Sequence, residues 1–266
     1  MLTFIKFIKL IITIIMKPLK EMTKKDIKNI KLIVFDVDGI LVPRGTEINQ
    51  HGQYLSIKVK KIPESEIKLI KQLHAKGFKI NISSGRALYM LEKMFAEVLP
   101  YVSLTYENGS VSWINGKVYQ HVNSFSKLKE VAEKLGQVKS ASIKGFEPKE
   151  FTITIHCKKR VKAIERVISK YIELYFIWNS EAYDIGLKKK QTKAVGLGNL
   201  MRILRLKKKN VLAIGDNYND KELINAAGIS VSADKKRVKG NFFVALSRKC
   251  LPAEKLMQRI LELRAI

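Results

Sequence analysis

Short apolar runs alternate with amphipathic segments along most of the chain. KLIVF (31–35) and VLAIG (211–215) are short apolar runs that lead into polar residues, which predicts buried strands. FKINIS (78–83), which leads into Ser84, is predicted as another strand. In the segment 63–77, apolar residues recur at helical spacing between a proline start and a glycine end. Apolar strands that alternate with helices are typical of a parallel sheet covered by helices on both faces.

Other segments depart from this alternation. Residues 43–62 place polar turn pairs around the alternating stretch YLSIKVKKI, which predicts an extended β-hairpin. The Asn115-Gly116 pair is a strong signal for a second hairpin. Between about 125 and 183 the pattern reads helix, strand (151–157), helix, strand (174–178), which indicates a separate α+β unit inserted in the sheet.

We therefore predict an α/β fold with two domains. Residues 31–109 and 184–266 would form a discontinuous, three-layer, Rossmann-like parallel-sheet core. Residues 110–183 would form an inserted α+β domain. Residues 1–30 would be an N-terminal extension outside the core, because the first predicted strand begins near Lys31.

The start of the chain, MLTFIKFIKLIITIIMKPLKEM, is strongly apolar. Its apolar part, residues 2–15, is shorter than the ~20 residues of a membrane span and is interrupted by Lys6 and Lys9. No small-residue cleavage site follows it. We predict a cytoplasmic protein without membrane contact, with an interfacial anchor at residues 2–15 as the alternative. Translation that starts at Met16 or Met22 would remove the segment.

Composition narrows the class of protein. A hydrophobic share of 46% in 266 residues supports a substantial core and excludes a disordered protein. The two cysteines, Cys157 and Cys250, form no disulfide framework or zinc motif and suit a reducing compartment. Lys and Arg number 50 against 24 Asp and Glu, a formal charge of +26. The charges are mostly lysines scattered over the chain, so we favour a compositional bias over a dedicated nucleic-acid site.

Polar side chains follow three of the predicted strands. Asp36 and Asp38 follow the strand 31–35, and Ser84 follows the strand 78–83. Asp216 begins the polar run that follows the strand 211–215. Because ligands of open parallel sheets bind at the carboxyl ends of the strands, we expect these side chains to face one crevice.

These motifs, in this order, carry a family resemblance. DVDG after an apolar strand, SGR after a second, a lone downstream lysine and GDNYND after a third resemble the haloacid dehalogenase superfamily of phosphotransferases. The resemblance spans about residues 31–246. The insertion between SGR and Lys193 resembles the large cap of the type IIB branch, which contains sugar-phosphate and phosphoglycolate phosphatases.

The resemblance implies the roles of the central residues. Asp36 would attack phosphorus and also contact a metal ion. Asp38 would protonate the leaving alcohol and then activate water, while its backbone carbonyl joins the metal. Lys193 would neutralise the phosphate and hold Asp36, although composition alone leaves the three lysines at 188–190 as alternatives.

The remaining roles concern the phosphate and the metal. By the same resemblance Ser84 and Asn219 would bind the substrate phosphate, and Asp216 and Asp220 would hold the metal together with Asp36 and Asp38. The metal would be Mg²⁺, which prefers carboxylate, water and phosphate oxygens. We interpret His156, in a predicted strand of the insertion, as structural.

The predicted function is therefore Mg²⁺-dependent hydrolysis of a small phosphorylated metabolite, a sugar phosphate or phosphoglycolate, through an aspartyl-phosphate. An aspartate two residues after the nucleophile is typical of phosphatases and phosphomutases in this family. The alternatives are a phosphomutase of the same family and, from the +26 charge, an RNA-binding protein on the same scaffold.

Overall fold

The computed structural model describes residues 16–245 and 250–265. In these residues the strands are β1 (Lys17–Pro18), β2 (Leu32–Phe35), β3 (Glu47–His51), β4 (Tyr54–Lys58), β5 (Lys79–Ser83), β6 (Ser103–Tyr106), β7 (Val111–Ile114), β8 (Lys117–Gln120), β9 (Ile143–Glu147), β10 (Ile153–Cys157), β11 (Leu174–Trp178), β12 (Ala182–Leu187), β13 (Val211–Gly215), β14 (Ile229–Ser232) and β15 (Phe242–Phe243).

The α-helices of the same residues are α1 (Lys24–Ile27), α2 (Glu64–Ala75), α3 (Leu88–Phe95), α4 (Phe125–Gly136), α5 (Lys162–Ile168), α6 (Lys193–Ile203), α7 (Lys221–Ala226) and α8 (Pro252–Ala265). Short 3₁₀-helices lie at Leu19–Glu21, Ala96–Tyr101, Lys208–Asn210 and Tyr218–Asp220. Within the described ranges, no helix combines the length and the apolar character needed to cross a membrane.

A nine-stranded sheet forms the core domain, in the order β1-β15-β14-β13-β2-β5-β6-β7-β8. The pairings from β1 through to β6 are parallel, and those of β7 and β8 are antiparallel. In β2, Ile33 and Phe35 pack in the apolar cluster that includes α2 and α8, whereas Leu32 and Val34 pack in the cluster of α6 and α7. Helices thus cover both faces, and the predicted three-layer α/β fold is confirmed.

A second, antiparallel sheet with the order β11-β12-β10-β9 forms the cap, and α4 and α5 share its apolar cluster. In β10, Ile153, Ile155 and Cys157 belong to that cluster. The strands β9 and β12 were not predicted, because each contains glycine and charged residues that are depleted in strands. Long-range pairing with β10 supplies the order that their local sequence does not.

The division of the chain differs from the predicted cap at residues 110–183. The hairpin at Asn115-Gly116 forms, and both residues have positive φ. However, β7 pairs with β6, so this hairpin extends the core sheet and the cap begins later. At the other end, β12 stays paired within the cap sheet beyond residue 183. The boundary depends on which sheet supplies the backbone partners, which local patterns do not specify.

The predicted extension at residues 1–30 is also corrected in part. β1 pairs with β15 and forms the edge of the core sheet. The side chains of Met22 and Ile27 are fully buried, and Arg259 Nη2 donates to the Met22 carbonyl oxygen at 2.6 Å. Residues 16–30 therefore belong to the core, because their apolar side chains cover the sheet edge and α8. The apolar segment at residues 2–15 lies outside the described residues.

The hairpin β3–β4, predicted within residues 43–62, is confirmed and connects the two domains. Its Gln50 Oε1 accepts a hydrogen bond from the Phe146 backbone N–H in β9, at 3.3 Å. The hairpin leaves the core immediately after β2 and reaches the edge strand of the cap. It therefore borders the crevice between the carboxyl ends of the core strands and the cap.

Candidate active site

The loop after β2 carries the two aspartates of the DVDG sequence. Gly39 turns this loop with φ of +86°, a conformation that residues other than glycine rarely adopt. A Cβ at Gly39 would lie 2.8 Å from Arg44 Nε and 3.3 Å from Asp216 Oδ2. The glycine therefore lets the loop pass close to Asp216 while Asp36 and Asp38 both line one cavity.

That cavity, of about 370 Å³, lies between the strand ends of the core and the cap. The structure brings the predicted site residues together there. Asp220 is fully buried and contacts Lys193 from behind the cavity wall. The other six line the cavity itself: Asp36, Asp38, Ser84, Lys193, Asn219 and Asp216. This convergence follows from the parallel sheet, whose carboxyl ends share one edge.

Lys193 is the first residue of α6, and its side chain is only 2% exposed. Its Nζ donates to Asp36 Oδ1 and to Asp220 Oδ1, each at 2.5 Å. Burial alone would lower the pKa of this ammonium, but the two carboxylates outweigh it and the pKa is raised. Lys193 is therefore charged. The alternative lysines at 188–190 are exposed and line no part of this cavity.

The carboxylates around Lys193 repel one another electrostatically. Burial raises the pKa of Asp36 to about 7, and the nearby Asp220 and Asp216 add to the rise, against the lowering by Lys193. Burial also raises the pKa of Asp216, even though Arg44 acts in the other direction. Lys193 and Arg44 thus face three carboxylates, so one negative charge stays uncompensated and a further cation would relieve this repulsion.

The donor set suits Mg²⁺. Asp36, Asp216 and Asp220 each offer a carboxylate oxygen, and these oxygens lie within 4.8 Å of one another. Asp216 Oδ1 is buried and has no hydrogen-bond partner among the described residues. Asp220 instead uses Oδ2 to accept from the Asp216 and Asn217 amides, at 3.1 and 3.0 Å. Asp36 and Asp216 could therefore hold a hard cation directly, with Asp220 orienting the loop that carries Asp216.

Two predicted phosphate ligands complete the core side of the cavity. Ser84 is buried directly after β5, and its Oγ accepts from the Arg86 amide at 3.2 Å. It is not a helix N-cap, since Ala87 has that position before α3. Asn219 Oδ1 is buried and unpartnered within the described ranges. The Ser84 hydroxyl and the Asn219 NH₂ group could donate hydrogen bonds to a bound phosphate, whereas Asn219 Oδ1 could only accept one.

The opposite wall of the cavity is a polar surface of the cap. His156 Nε2 and Glu147 Oε2 are 2.9 Å apart, and Lys149 Nζ lies 3.3 Å from Glu147 Oε1. Burial acts to raise the pKa of Glu147, but Lys149, His156 and Arg86 lower it to about 2. We call this surface the polar cap wall; it comprises Glu147, Lys149, Thr154, His156 and Asp184.

The position of His156 could have been recognised from the strand pattern. Thr154 and His156 alternate in β10 with the buried Ile153, Ile155 and Cys157, so they project from the opposite face. That face meets the cavity. The sequence interpretation of His156 as structural therefore overlooked its placement on the cavity wall.

Comparison with known proteins decides the family. A sequence profile of the haloacid dehalogenase-like hydrolases matches residues 33–143 and 133–238, most of the chain. The chain belongs to this family. The predicted family is thus confirmed, and the antiparallel cap agrees with its large-cap branch.

Individual relatives of this haloacid dehalogenase-like hydrolase are distant. A Streptococcus pyogenes protein with the provisional name bifunctional phosphatase/peptidyl-prolyl cis-trans isomerase is 24% identical over 245 residues. The match covers 79% of this chain and 48% of the relative, so the chain spans about half the length of that curated protein.

Among solved structures, a phosphatase of the same superfamily from Bacteroides thetaiotaomicron shares 22% identity with a TM-score of 0.65. The alignment covers 89% of this chain and 96% of that one. A subclass IIB sugar phosphatase shares 19% identity with a TM-score of 0.61, and the coverage is 89% and 100%. At these identities the likeness shows the fold.

Two arginines of the hydrolase site were not predicted from the sequence. Arg44 lies between the DVDG loop and β3, and its Nη2 donates to Asp216 Oδ2. Arg86 donates from Nε to Asp38 Oδ2 at 2.9 Å and from Nη2 to Asp38 Oδ1 at 2.6 Å. The SGR motif could have signalled Arg86, whereas nothing local in the hairpin segment distinguishes Arg44.

Proposed function

We propose that this hydrolase is a Mg²⁺-dependent phosphatase that removes phosphate from a small sugar phosphate through an aspartyl-phosphate at Asp36. The observation that carries the proposal is the buried Lys193 ammonium, which contacts Asp36 and Asp220. It lies beside Asp216 Oδ1, to which no described residue donates a hydrogen bond. Positive charge at the base of a polar cavity is what a dianionic phosphate and a carboxylate nucleophile need in order to approach each other.

The chain's own groups supply two chemical steps. An oxygen of Asp36 bonds to phosphorus while the bond from phosphorus to the alcohol oxygen breaks, and Asp38 gives that oxygen a proton. Asp38, now ionised, takes a proton from water, whose oxygen bonds to phosphorus as the bond to Asp36 breaks. The products are the alcohol, inorganic phosphate and free Asp36. Because Arg86 holds both oxygens of Asp38, this ion pair must separate and Asp38 must take up a proton from solvent before it can protonate the leaving oxygen.

Asp36 and Asp216 would hold Mg²⁺, and Asp220 would keep Asp216 in place. When bound, the cation offsets negative charge on the phosphate and the carboxylates and orients the phosphate. Lys193 acts to lower the pKa of Asp36 against the effect of burial, and so favours the ionised nucleophile. Ser84 and Asn219 would fix the phosphate oxygens.

The polar cap wall favours a neutral, hydroxyl-rich leaving group. Glu147 and Asp184 provide acceptors, and Lys149 and His156 provide donors, so the wall suits alternating sugar hydroxyl groups. Two carboxylates on this wall disfavour the anionic glycolate of phosphoglycolate. One solved relative of the same fold carries the name sugar phosphatase, which supports the same substrate class.

The test is a phosphate-release assay with a panel of hexose phosphates, phosphoglycolate and p-nitrophenyl phosphate, with Mg²⁺ or with EDTA. We expect release from at least one hexose phosphate, its loss in EDTA and its loss in Asp36→Asn. No release from any substrate, or equal release by Asp36→Asn, would overturn the proposal. Conversion between sugar phosphate isomers that needs a sugar bisphosphate and releases no phosphate would instead identify the phosphomutase.

A further inference from the structure

A buried carboxylate of the core domain contacts the cap outside the catalytic cavity. Glu107 follows β6 and has a positive φ of 45°. It is 1% exposed, and it accepts hydrogen bonds from the cap loop at residues 149–152. Its Oε1 accepts from the Glu150 amide at 3.1 Å, and its Oε2 accepts from the Phe151 and Thr152 amides at 2.7 and 2.9 Å. The Thr152 hydroxyl adds a fourth, at 3.2 Å.

The same loop also reaches the predicted phosphate site. The side chain of Lys149 is 3% exposed, and its Nζ donates to the Gly85 carbonyl oxygen at 2.8 Å and to Thr154 Oγ1 at 2.5 Å. Gly85 lies between Ser84 and Arg86 in the cavity wall. The loop thus joins the polar cap wall to the segment that would bind phosphate.

The loop 149–152 also forms hydrogen bonds with the two connections between the core and the cap. The Phe151 carbonyl oxygen accepts from Ser124 Oγ at 2.7 Å and from Gln191 Nε2. Ser124 precedes α4, and Gln191 follows β12, so each lies on one of the two connections. Glu107, these connections and Lys149 together restrict the loop from three directions.

Stability alone does not account for a carboxylate in this position. Burial raises the pKa of Glu107, against Lys149 and the three amides, so its ionised form carries a desolvation cost. A buried ionised group that replaces an apolar one rarely adds stability, but directional bonds to consecutive amides define a single arrangement of the backbone. The contact therefore points to control of the position of the cap.

We propose that Glu107 is a positioning residue: it clasps the cap loop 149–152 and sets the polar cap wall at the distance from Asp36 and Asp38 that a sugar leaving group requires. The substrate part of this inference rests on the proposed function. A leaving group that makes no hydroxyl contacts with the cap depends little on the clasp. Glu107 itself lines no part of the catalytic cavity.

The first test compares Glu107→Gln with the matched control Glu150→Gln, which removes an exposed charge from the same loop. The amide side chain of Glu107→Gln keeps one acceptor oxygen, and its NH₂ group faces a backbone N–H. For this variant we expect kcat/KM to fall at least about tenfold with the hexose phosphate that the wild-type protein hydrolyses fastest. The fall with p-nitrophenyl phosphate should be less than about threefold, since hydrogen bonds to charged groups are the strong ones. The control should match the wild-type protein on both substrates. Equal losses on both substrates, or none, would overturn the proposal.

The second test needs no turnover, and its deciding measurement is made on the wild-type protein. In the wild-type protein, hydrogen exchange at the amides of residues 150–152 should be slow, although they lie in a loop, and Glu107→Gln should accelerate it with little change at β10. Unprotected amides in the wild-type protein would refute the clasp. If the wild-type protein hydrolyses neither substrate, the proposed function fails, and the exchange result still decides the clasp.

Discussion

Replacement of Asp36 by Asn should abolish turnover and, in metal-free buffer, make the protein more stable. The side chain of Asp36 is buried beside Asp220 and Asp216, and its pKa rises from 3.8 to about 7. Since one pKa unit corresponds to about 1.4 kcal/mol, ionisation of Asp36 in the folded protein costs on the order of 4 kcal/mol. The nearly isosteric amide of Asn removes this charge and also the nucleophile.

The sign and pH window follow from proton linkage. Because the folded pKa is raised, the folded state binds more protons than the unfolded state between about pH 4 and 7, and stability falls as the pH rises through this window. Asn at position 36 does not titrate, so its advantage over Asp36 should grow from pH 4 to 7 and stay constant above. At ~2–4 °C per kcal/mol, the gain in Tm at pH 8.5 should be roughly 10 °C, and less than half of that at pH 5.

The assay is thermal unfolding followed by circular dichroism in EDTA at pH 5 and at pH 8.5. Glu47→Gln serves as the control, because the side chain of Glu47 is 68% exposed and its loss should change Tm little at either pH. Addition of Mg²⁺ should stabilise the wild-type protein more than Asp36→Asn, since Asp36 offers a ligand oxygen. An unchanged or lowered Tm of Asp36→Asn at pH 8.5 would refute the argument that Asp36 is held against charge repulsion.

Three further substitutions test other parts of the structure. Lys193→Met should lower kcat/KM for p-nitrophenyl phosphate by ~10²-fold or more, because it removes one donor that stabilises the transition state. Lys189→Met changes an exposed lysine and should alter kcat/KM by no more than about twofold. A larger loss in Lys189→Met than in Lys193→Met would refute the assignment of Lys193 as the phosphate-site lysine. Arg44→Ala should tighten Mg²⁺ binding about fivefold in calorimetry, because the guanidinium no longer neutralises Asp216, and weaker binding would contradict this. Met22→Ala should lower the free energy of unfolding by about 2–5 kcal/mol in urea titration, since Met22 is fully buried; a loss below about 0.5 kcal/mol would place residues 16–30 outside the cooperative fold.

The location of the candidate catalytic residues could be derived from the sequence. Apolar runs marked the strands β2 and β13, and β5 was predicted between them. Each of the three strands is followed by a polar group: Asp36, Ser84 and Asp216. In a parallel sheet these ends lie at one edge, so the order of the elements alone brings the groups together. Lys193 could be chosen among four nearby lysines because it begins the helix that precedes β13.

The sequence also predicted the number of layers in the core, since period and apolar content are local properties of each strand and helix. The inserted α+β unit appeared in the same way, from helix and strand periods between about 125 and 183. Such patterns report which face of an element is buried. They do not report which other element buries it.

Only the tertiary structure determined which residues and strands contact one another. Arg44 and Asp216 are 172 residues apart, and Lys149 and Gly85 are 64 apart, so no local spacing relates them. The β7–β8 hairpin was predicted, but only its ladder with β6 assigns it to the core sheet. These contacts depend on which surfaces the folded chain brings within hydrogen-bond distance, and the free energy of each is set by burial that exists only after the segments have packed.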